Sequence, residues 1–223
     1  MKSTACIYSI LISLISILNS GCKEDENDVI DIEGAVYHCV TIGTRIWMVE
    51  NLKVTHYRNG DPIPNVTNEM EWDTLTIGAY CNYENEENNA KIYGRLYNWH
   101  AVNDTRKLAP DGWHIATETE YRELIANAGA EDAAGGNLKE SGTTHWNPPN
   151  TNAKNTFGFT ALPSGTFASF GFDGLGESGN LWSSTEFPAE KAFYLCLGHT
   201  TGRAFVAYQD KTMGNAVRCV RDN

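Results

Sequence analysis

Four short runs of alternating apolar and polar residues close the chain, and they constrain its fold more than any other feature. They are NLWSSTE (180–186), AFYLCLGH (192–199), RAFVAYQ (203–209) and AVRCVRD (216–222). Alternation with a period of two, in segments rich in β-branched and aromatic residues, predicts β-strands. Residues 36–54 show the same pattern around Gly43 and Thr44, which predicts two more short strands joined by a turn.

Helices are predicted in two places before the late strands. Within residues 112–130, Thr117 and Glu120 have the spacing of a capping box, and Gly129 is placed to end the helix. Its apolar face is formed by Tyr121, Leu124 and Ile125. Residues 90–102 have apolar residues near helical spacing and predict another helix. A glycine inside that segment, Gly94, predicts close packing because glycine disfavours a helix interior by about 1 kcal/mol.

Long irregular segments separate these elements. Residues 65–90 are polar and acidic and predict a surface loop. Within it, Trp72, Ile77 and Tyr80 are expected to be buried in the core. Residues 131–180 are rich in Gly, Asn, Ser and Pro, with short strand-like pieces such as FGFTALP among the loops. Helices early and strands late, joined by long loops, predict an α+β fold.

The N-terminus carries a pattern typical of an export signal. Residues 7–18 form a short apolar core after Lys2, and the small residues Ser20 and Gly21 follow. Cleavage after Gly21 would make Cys22 the first residue of the mature protein, and this arrangement resembles a bacterial lipoprotein signal whose cysteine is lipidated. Asn19 departs from that pattern, which usually has an aliphatic residue there. An ordinary secreted protein is the alternative.

An acidic segment follows the signal, so the predicted organisation is a lipoprotein signal (1–21), an acidic tether (22–33) and one domain (34–223). The full chain has a formal charge of −11, and the tether holds Glu24, Asp25, Glu26, Asp28, Asp31 and Glu33. Such acidity disfavours nucleic acid as a partner, because nucleic-acid binding uses Lys and Arg to neutralise phosphates. The run KEDE after Cys22 resembles an export tag of surface lipoproteins in Bacteroidetes, which implies a lipid-anchored, surface-exposed protein of the outer membrane. A solvated spacer is the alternative.

Four further cysteines lie in the predicted domain: Cys39, Cys81, Cys196 and Cys219. An even number in an exported chain is compatible with two disulfides, whose pairing the sequence leaves open. Free buried thiols are an equal alternative.

The ordered motifs VTIGTRIWMVENLKV, IYGRLYNWHAVN, LAPDGWHIATETEYREL, GLGESGNLWSSTE and AVRCVRDN resemble the Fibrobacter succinogenes major paralogous domain over about residues 36–223. The resemblance implies an exported lipoprotein with a C-type-lectin-like fold of two helices, small antiparallel sheets and long loops. It is more distantly similar to the formylglycine-generating-enzyme group. The tryptophans within these motifs are expected in the core, namely Trp47, Trp99, Trp113 and Trp182.

The sequence provides little support for catalysis or for a metal. The histidines, His38, His56, His100, His114, His145 and His199, lack paired-ligand spacing, and His114 is expected to be a hydrogen-bonded structural residue. Copper chemistry of the formylglycine-generating type needs closely spaced cysteines, whereas Cys196 and Cys219 are far apart. Residues 145–150 and 83–89 only approach a calcium-ligand pattern. Neither a metal nor another cofactor is expected.

The strongest binding candidate in the sequence is the segment 164–180. Phe167, Phe170 and Phe172 lie there among glycines and serines, and Asp173 and Glu177 add acceptors. Aromatic rings beside hydrogen-bonding groups are typical of sugar or peptide recognition. The alternative is that the rings pack beneath the loop. A non-catalytic module that binds glycan or protein is therefore expected, with a structural component of the cell envelope, or a degenerate formylglycine-generating-type enzyme, as alternatives.

Overall fold

The computed structural model describes residues 28–188 and 190–222. Its first strands are β1 (Val29–Ile30), β2 (Val36–Tyr37), β3 (Cys39–Ile42), β4 (Arg45–Met48), β5 (Tyr80–Cys81), β6 (Leu96–Tyr97) and β7 (Trp113–Ile115). Later in the chain come β8 (Ser164–Ala168), β9 (Gly171–Leu175), β10 (Ser178–Phe187), β11 (Lys191–Gly198), β12 (Ala204–Asp210), β13 (Ala216–Val217) and β14 (Cys219–Arg221).

The helices are short. They are α1 (Glu69–Trp72), α2 (Glu87–Tyr93), α3 (Trp99–Val102), α4 (Glu118–Asn127) and α5 (Glu131–Leu138), with a 3-10 turn at Tyr83–Asn85. Sheet therefore dominates a mixed architecture, and the predicted α+β class is confirmed.

The strands form two principal sheets. The larger has the order β12-β11-β10-β8-β9, with β13 also paired to β10, and the smaller has the order β3-β4-β14-β7. The pairs β1-β2 and β5-β6 stand apart from them. In the smaller sheet Val220 near the end of the chain pairs with Trp47 near its beginning, so the two ends of the domain close on one another.

The late strands confirm the predicted alternation. Strands β10, β11 and β12 form an antiparallel meander, although β10 bulges between Trp182 and Glu186. The last predicted run is divided into β13 and β14 by Arg218, which is fully buried. The early hairpin is confirmed as β3 and β4, with Gly43 at φ +64° in the turn.

Helix α4 is the helix that the sequence predicts best. The Thr117 hydroxyl accepts from the backbone N–H of Glu120, and the Glu120 carboxylate accepts from the N–H of Thr117, which completes the capping box. Tyr121, Leu124 and Ile125 are buried as predicted. Gly129 follows the helix at φ +108°.

The continuous helix predicted over residues 90–102 is wrong. Gly94 has φ +80°, and a Cβ there would lie 2.6 Å from the Asn51 side chain, so the expected close packing is present but it breaks the helix. Helix α2 ends at Tyr93, β6 follows, and α3 starts at Trp99. Pairing of β6 with β5 supplies the backbone hydrogen bonds that a helix would otherwise make.

Segments predicted as loops contain regular structure. Residues 131–180 include α5 and the β8-β9 hairpin. The piece FGFTALP forms no strand, although Ala161 within it makes an isolated parallel β-bridge with Lys139. Residues 65–90 contain α1, β5 and the start of α2. Trp72 and Tyr80 are buried as expected, but the prediction for Ile77 is wrong because it is 57% exposed.

The core is built around the aromatic residues. The prediction that Trp47, Trp99, Trp113 and Trp182 are buried is confirmed. Trp47 stacks on Tyr121 with their ring centroids 5.8 Å apart, which joins the smaller sheet to α4.

The start of the domain differs from the predicted boundary at residue 34. Asp31 is buried and accepts a hydrogen bond from the Tyr37 hydroxyl at 2.7 Å, and β1 pairs with β2. The end of the predicted tether therefore packs on the domain. The predicted signal and Cys22 lie outside the described residues. None of the helices in residues 28–188 and 190–222 has the length and apolar character that spanning a membrane requires.

Candidate functional site

The β8-β9 hairpin holds the aromatic residues that the sequence singled out, but it separates them. Phe167 is fully buried against Trp72, with ring centroids 5.1 Å apart, and stacks on Phe172 at 4.3 Å. Phe172 is partly buried and also contacts Tyr83, at 5.1 Å. For these two residues the structure matches the alternative that the rings pack beneath the segment, because a regular hairpin supplies a buried face.

Phe170 is the exposed phenylalanine of that segment. It lies at the hairpin tip with 65% of its surface accessible, and Asp173 and Glu177 are also exposed. A Cβ on Gly171 would lie 3.1 Å from the carboxylate of Glu69, so the tip approaches α1. The hairpin therefore presents a single aromatic ring to solvent.

A larger aromatic cluster lies at the far end of the β10-β12 meander. We call Phe187, Phe193 and Tyr208 the aromatic surface. The rings of Phe187 and Tyr208 stack in parallel, with centroids 4.0 Å apart and an interplanar angle of 2°. Phe193 meets Phe187 edge-on at 5.2 Å, and Tyr208 is 51% exposed.

The strand register explains why these rings meet. Phe193 on β11 pairs directly with Tyr208 on β12, and Phe187 on β10 pairs with Lys191. Directly paired residues project from the same face of a sheet, so the three rings share one face. Leu195 and Leu197 continue that face along β11 and are buried in the core. The aromatic surface is thus the solvent-exposed end of a core-facing stripe.

One ion pair borders the aromatic surface on its own face of the sheet. The Lys191 ammonium lies 3.4 Å from the Asp210 carboxylate and 5.8 Å from the Tyr208 ring centroid. Glu186 alternates with Phe187 and projects from the opposite face, where it forms an ion pair with the buried Lys211 beside Trp99. The Lys191 ammonium and the Asp210 carboxylate thus place a hydrogen-bond donor and an acceptor beside the ring of Tyr208.

Sequence reasoning did not identify this site. Phe193 and Tyr208 lie within predicted strands, and Phe187 directly follows another, so alternation could have assigned each ring to a face. Their proximity depends on pairing between strands, which the sequence alone did not specify. The five candidate residues lie on β8 and β9 or in the turns that follow them, and they do not join this cluster.

His114 forms a structural ion network, as the sequence led us to expect of a hydrogen-bonded histidine. Its Nδ1 lies 2.6 Å from Asp222 and its Nε2 lies 2.9 Å from Glu120, and Arg45 also contacts Glu120 at 2.7 Å. The hydrogen bond to Glu120 is the main cause that raises the pKa of His114. Burial opposes ionisation of Glu120, yet hydrogen bonds from His114 and Thr117 lower its pKa to about 2. Both imidazole nitrogens are occupied, so the protonated ring donates to both carboxylates.

The cysteines resolve one alternative. Among the described residues, Cys39, Cys81, Cys196 and Cys219 are all free thiols, which matches the free-thiol alternative. Burial raises the pKa of Cys39 and of Cys196 to about 11, and it raises the pKa of Cys81 and Cys219 as well. Thiolate chemistry is disfavoured at such sites because the nucleophile and metal ligand is the deprotonated form.

The near-calcium segments are held by protein contacts. Asn150 donates to the carbonyl of Glu140, and His145 contacts the Glu140 carboxylate at 2.8 Å. In the other segment Glu87 pairs with Arg95 at 3.1 Å. Over residues 28–188 and 190–222, no group of three or more His, Cys, Asp or Glu side chains is placed to hold a metal ion.

Together, these observations define a mixed α+β domain with a cluster of partly exposed aromatic rings on its larger sheet. Residues 40–221 match the Fibrobacter succinogenes major domain, and the chain belongs to that family. Comparison with curated proteins and with solved structures finds no match.

Proposed function

We propose that this protein is a non-catalytic, surface-anchored binding module and that the aromatic surface binds glycan. The observation that carries the proposal is the exposed stack of Tyr208 on Phe187, with Phe193 against its edge. Amphipathic aromatic rings are enriched where one side of a contact is apolar and the other is wet. Sugar rings have such a character, with apolar C–H faces and a polar rim.

The surrounding charges support a polar ligand. Lys191 and Asp210 can donate to and accept from hydroxyl groups while the sugar face covers Tyr208. Because Phe187 already packs against one face of the Tyr208 ring, that ring is pre-oriented and loses little freedom on binding. A protein partner is the competing ligand class.

A glycan array probed with the full chain in mild detergent tests the proposal. We expect binding to at least one glycan and loss of about tenfold or more in affinity for Tyr208→Ala, because aromatic anchors often contribute about 1.4 kcal/mol or more. The matched control is Phe170→Ala, which removes an exposed ring from the β8-β9 hairpin. Equal losses for both variants, or full binding by Tyr208→Ala, would show that the aromatic surface is not the site.

We further propose that Cys22 is lipidated and that the anchor places the domain on the outer face of the outer membrane. The apolar core before Gly21 and the acidic run after Cys22 support this. Labelling with a fatty-acid analogue tests it: label should enter the wild-type chain and be absent from Cys22→Ser. Protease added to intact cells should cleave the domain, and a domain that stays intact until the cells are broken faces inward.

The proposed arrangement of the fold is C-type-lectin-like. It is supported by the closure of the chain ends through β4 and β14 and by the long connections that lead into the late strands. A crystal structure superposed on C-type lectins tests it, and a different order of the shared strands would contradict it.

A structural role in the envelope is the second candidate function. Strand β12 lies at the edge of the larger sheet, and Phe205 and Tyr208 on it are both exposed. Open edges of this kind are templates for strand pairing with another chain. If crosslinking in cells captured one envelope protein through β12 while the purified chain ignored glycans, this role would replace the first.

A further inference from the structure

A separate cleft lies between the end of α3, the following loop and β7. Its volume is about 270 Å³, and Val102, Leu108 and Trp113 contribute apolar parts of its lining. This volume is slightly below the range of about 300–1,000 Å³ that holds drug-sized ligands. The cleft shares no residue with the aromatic surface.

The charged residues of the lining are mainly cationic. Arg58, Lys107 and His114 line the cleft together with one carboxylate, Asp222. That carboxylate is already engaged by His114 at 2.6 Å. His114 is itself paired with Glu120 and Asp222, so Arg58 and Lys107 supply the positive charge of the cleft in a chain whose formal charge is −11.

Backbone carbonyls hold Arg58 in place. Its Nε donates to the carbonyl of Ala109 at 2.8 Å, and another guanidinium nitrogen donates to the carbonyls of Pro110 and Trp113 at 2.7 and 3.0 Å. These acceptors are uncharged, so they orient the guanidinium and leave its positive charge in place. The contact with Asp111 is longer, at 3.5 Å, and the Asp111 side chain is almost wholly exposed, which weakens its screening of Arg58.

Lys107 is fixed by its backbone. It has φ +65°, a left-handed conformation that is unfavourable for a lysine. Two hydrogen bonds maintain it: its N–H donates to Asp104 at 3.0 Å, and its carbonyl accepts from the N–H of Arg58 at 2.8 Å. The backbone hydrogen bond between Arg58 and Lys107 therefore joins the two segments that carry the basic residues, and both residues line the cleft.

From this arrangement we propose that the cleft binds a small organic anion, with its carboxylate between Lys107 and Arg58 and its apolar body against Leu108 and Trp113. Hydrogen bonds between charged donors and a carboxylate are about twice as strong as neutral ones, which gives selectivity for the anion. The apolar lining gives affinity for a body of ring size. This site is independent of the proposed glycan site.

Calorimetric titration of the full chain in a non-ionic detergent with benzoate tests the proposal, with benzyl alcohol as the uncharged counterpart. Benzoate is expected to bind at least tenfold more tightly than benzyl alcohol. Lys107→Asn removes the charge and suits the left-handed backbone, because asparagine tolerates that region. It should weaken benzoate binding about tenfold. The matched control, Lys154→Asn, changes an exposed lysine outside the cleft and should bind as the wild type does.

A second variant, Asn103→Trp, tests the location through bulk instead of charge. Asn103 is exposed and lines the cleft, so a large ring there should obstruct entry and abolish benzoate binding without disturbing the core. The proposal is overturned if benzoate does not bind, if benzyl alcohol binds equally well, or if Lys107→Asn and Asn103→Trp both leave benzoate affinity unchanged. Glycan binding through Tyr208 is read out separately and is expected to persist in both variants.

Discussion

Trp99 and Trp182 fasten two segments of the chain to each other through reciprocal hydrogen bonds. The indole N–H of Trp99 donates to the carbonyl of Ser183 at 2.9 Å, and that of Trp182 donates to the carbonyl of Tyr97 at 2.9 Å. Both rings are buried. The β10 bulge is thereby held against the start of α3.

Replacing either tryptophan with phenylalanine should lower the free energy of unfolding by about 1–3 kcal/mol, because each change removes a buried hydrogen bond and part of a buried ring. Urea denaturation of Trp99→Phe, Trp182→Phe and the double variant measures this. Since both bonds fasten the same segments, the double variant should lose less than the sum of the single losses. Strictly additive losses would contradict the reciprocal tie.

Lys139 joins the loop at Thr151 to the end of β11 and the turn that follows it, from inside the domain. Its ammonium donates to the carbonyls of Thr151, Gly198 and Thr201 at 3.2, 2.8 and 2.8 Å. Burial lowers the pKa of Lys139 to about 8, so the ammonium form still predominates at neutral pH. We expect Lys139→Met to lower the free energy of unfolding by about 3 kcal/mol or more, since three acceptors lose their donor. Thermal denaturation measures the loss, and a variant as stable as wild type would contradict this role.

The His114 network predicts a pH window of stability. The raised pKa of His114 contributes stability that is complete below about 6.5 and is lost as pH rises through the folded value. The lowered pKa of Glu120 contributes stability above about 4.5 that is lost as pH falls towards 2. The difference in unfolding free energy between wild type and His114→Gln should therefore be largest near pH 5–6, at about 1 kcal/mol. Parallel pH profiles of the two proteins would exclude this network as the cause.

Gly135 in α5 has no room for a side chain. A Cβ there would lie 2.0 Å from the carbonyl oxygen of Arg203. Helix propensity alone predicts that Gly135→Ala stabilises the protein by about 1 kcal/mol, whereas the contact predicts a loss of about 1–3 kcal/mol. Thermal denaturation distinguishes the two signs. Ala133→Gly, at an exposed position of the same helix, is the control and should cost about 1 kcal/mol.

The β8-β9 hairpin should respond differently at two phenylalanines. Phe167→Ala empties a buried position against Trp72 and should cost about 3–5 kcal/mol. Phe170→Ala removes an exposed ring and should change stability by less than about 0.5 kcal/mol. Similar losses in urea denaturation would mean that the hairpin tip is packed in solution.

Local patterns predicted the elements whose hydrogen bonds and apolar faces are set by near neighbours in sequence. The capping box of Thr117 and Glu120 is complete within four residues, and α4 begins where it predicts. Alternation likewise located β10, β11 and β12. The candidate residues Phe167 and Phe172 show the limit, because a glycine-rich segment does not reveal that Trp72 and Tyr83 will cover its rings.

The sequence by itself determined the α+β class, helix α4, the late meander and the buried tryptophans, since periodicity and capping are local properties. Tertiary structure alone decided that Gly94 ends a helix beside Asn51 and that Gly135 packs against the backbone of Arg203, just before β12. It also decided that Phe187, Phe193 and Tyr208 form one surface. The physical reason is that these outcomes depend on strand register and on contacts between residues far apart in the chain, which no local periodicity encodes.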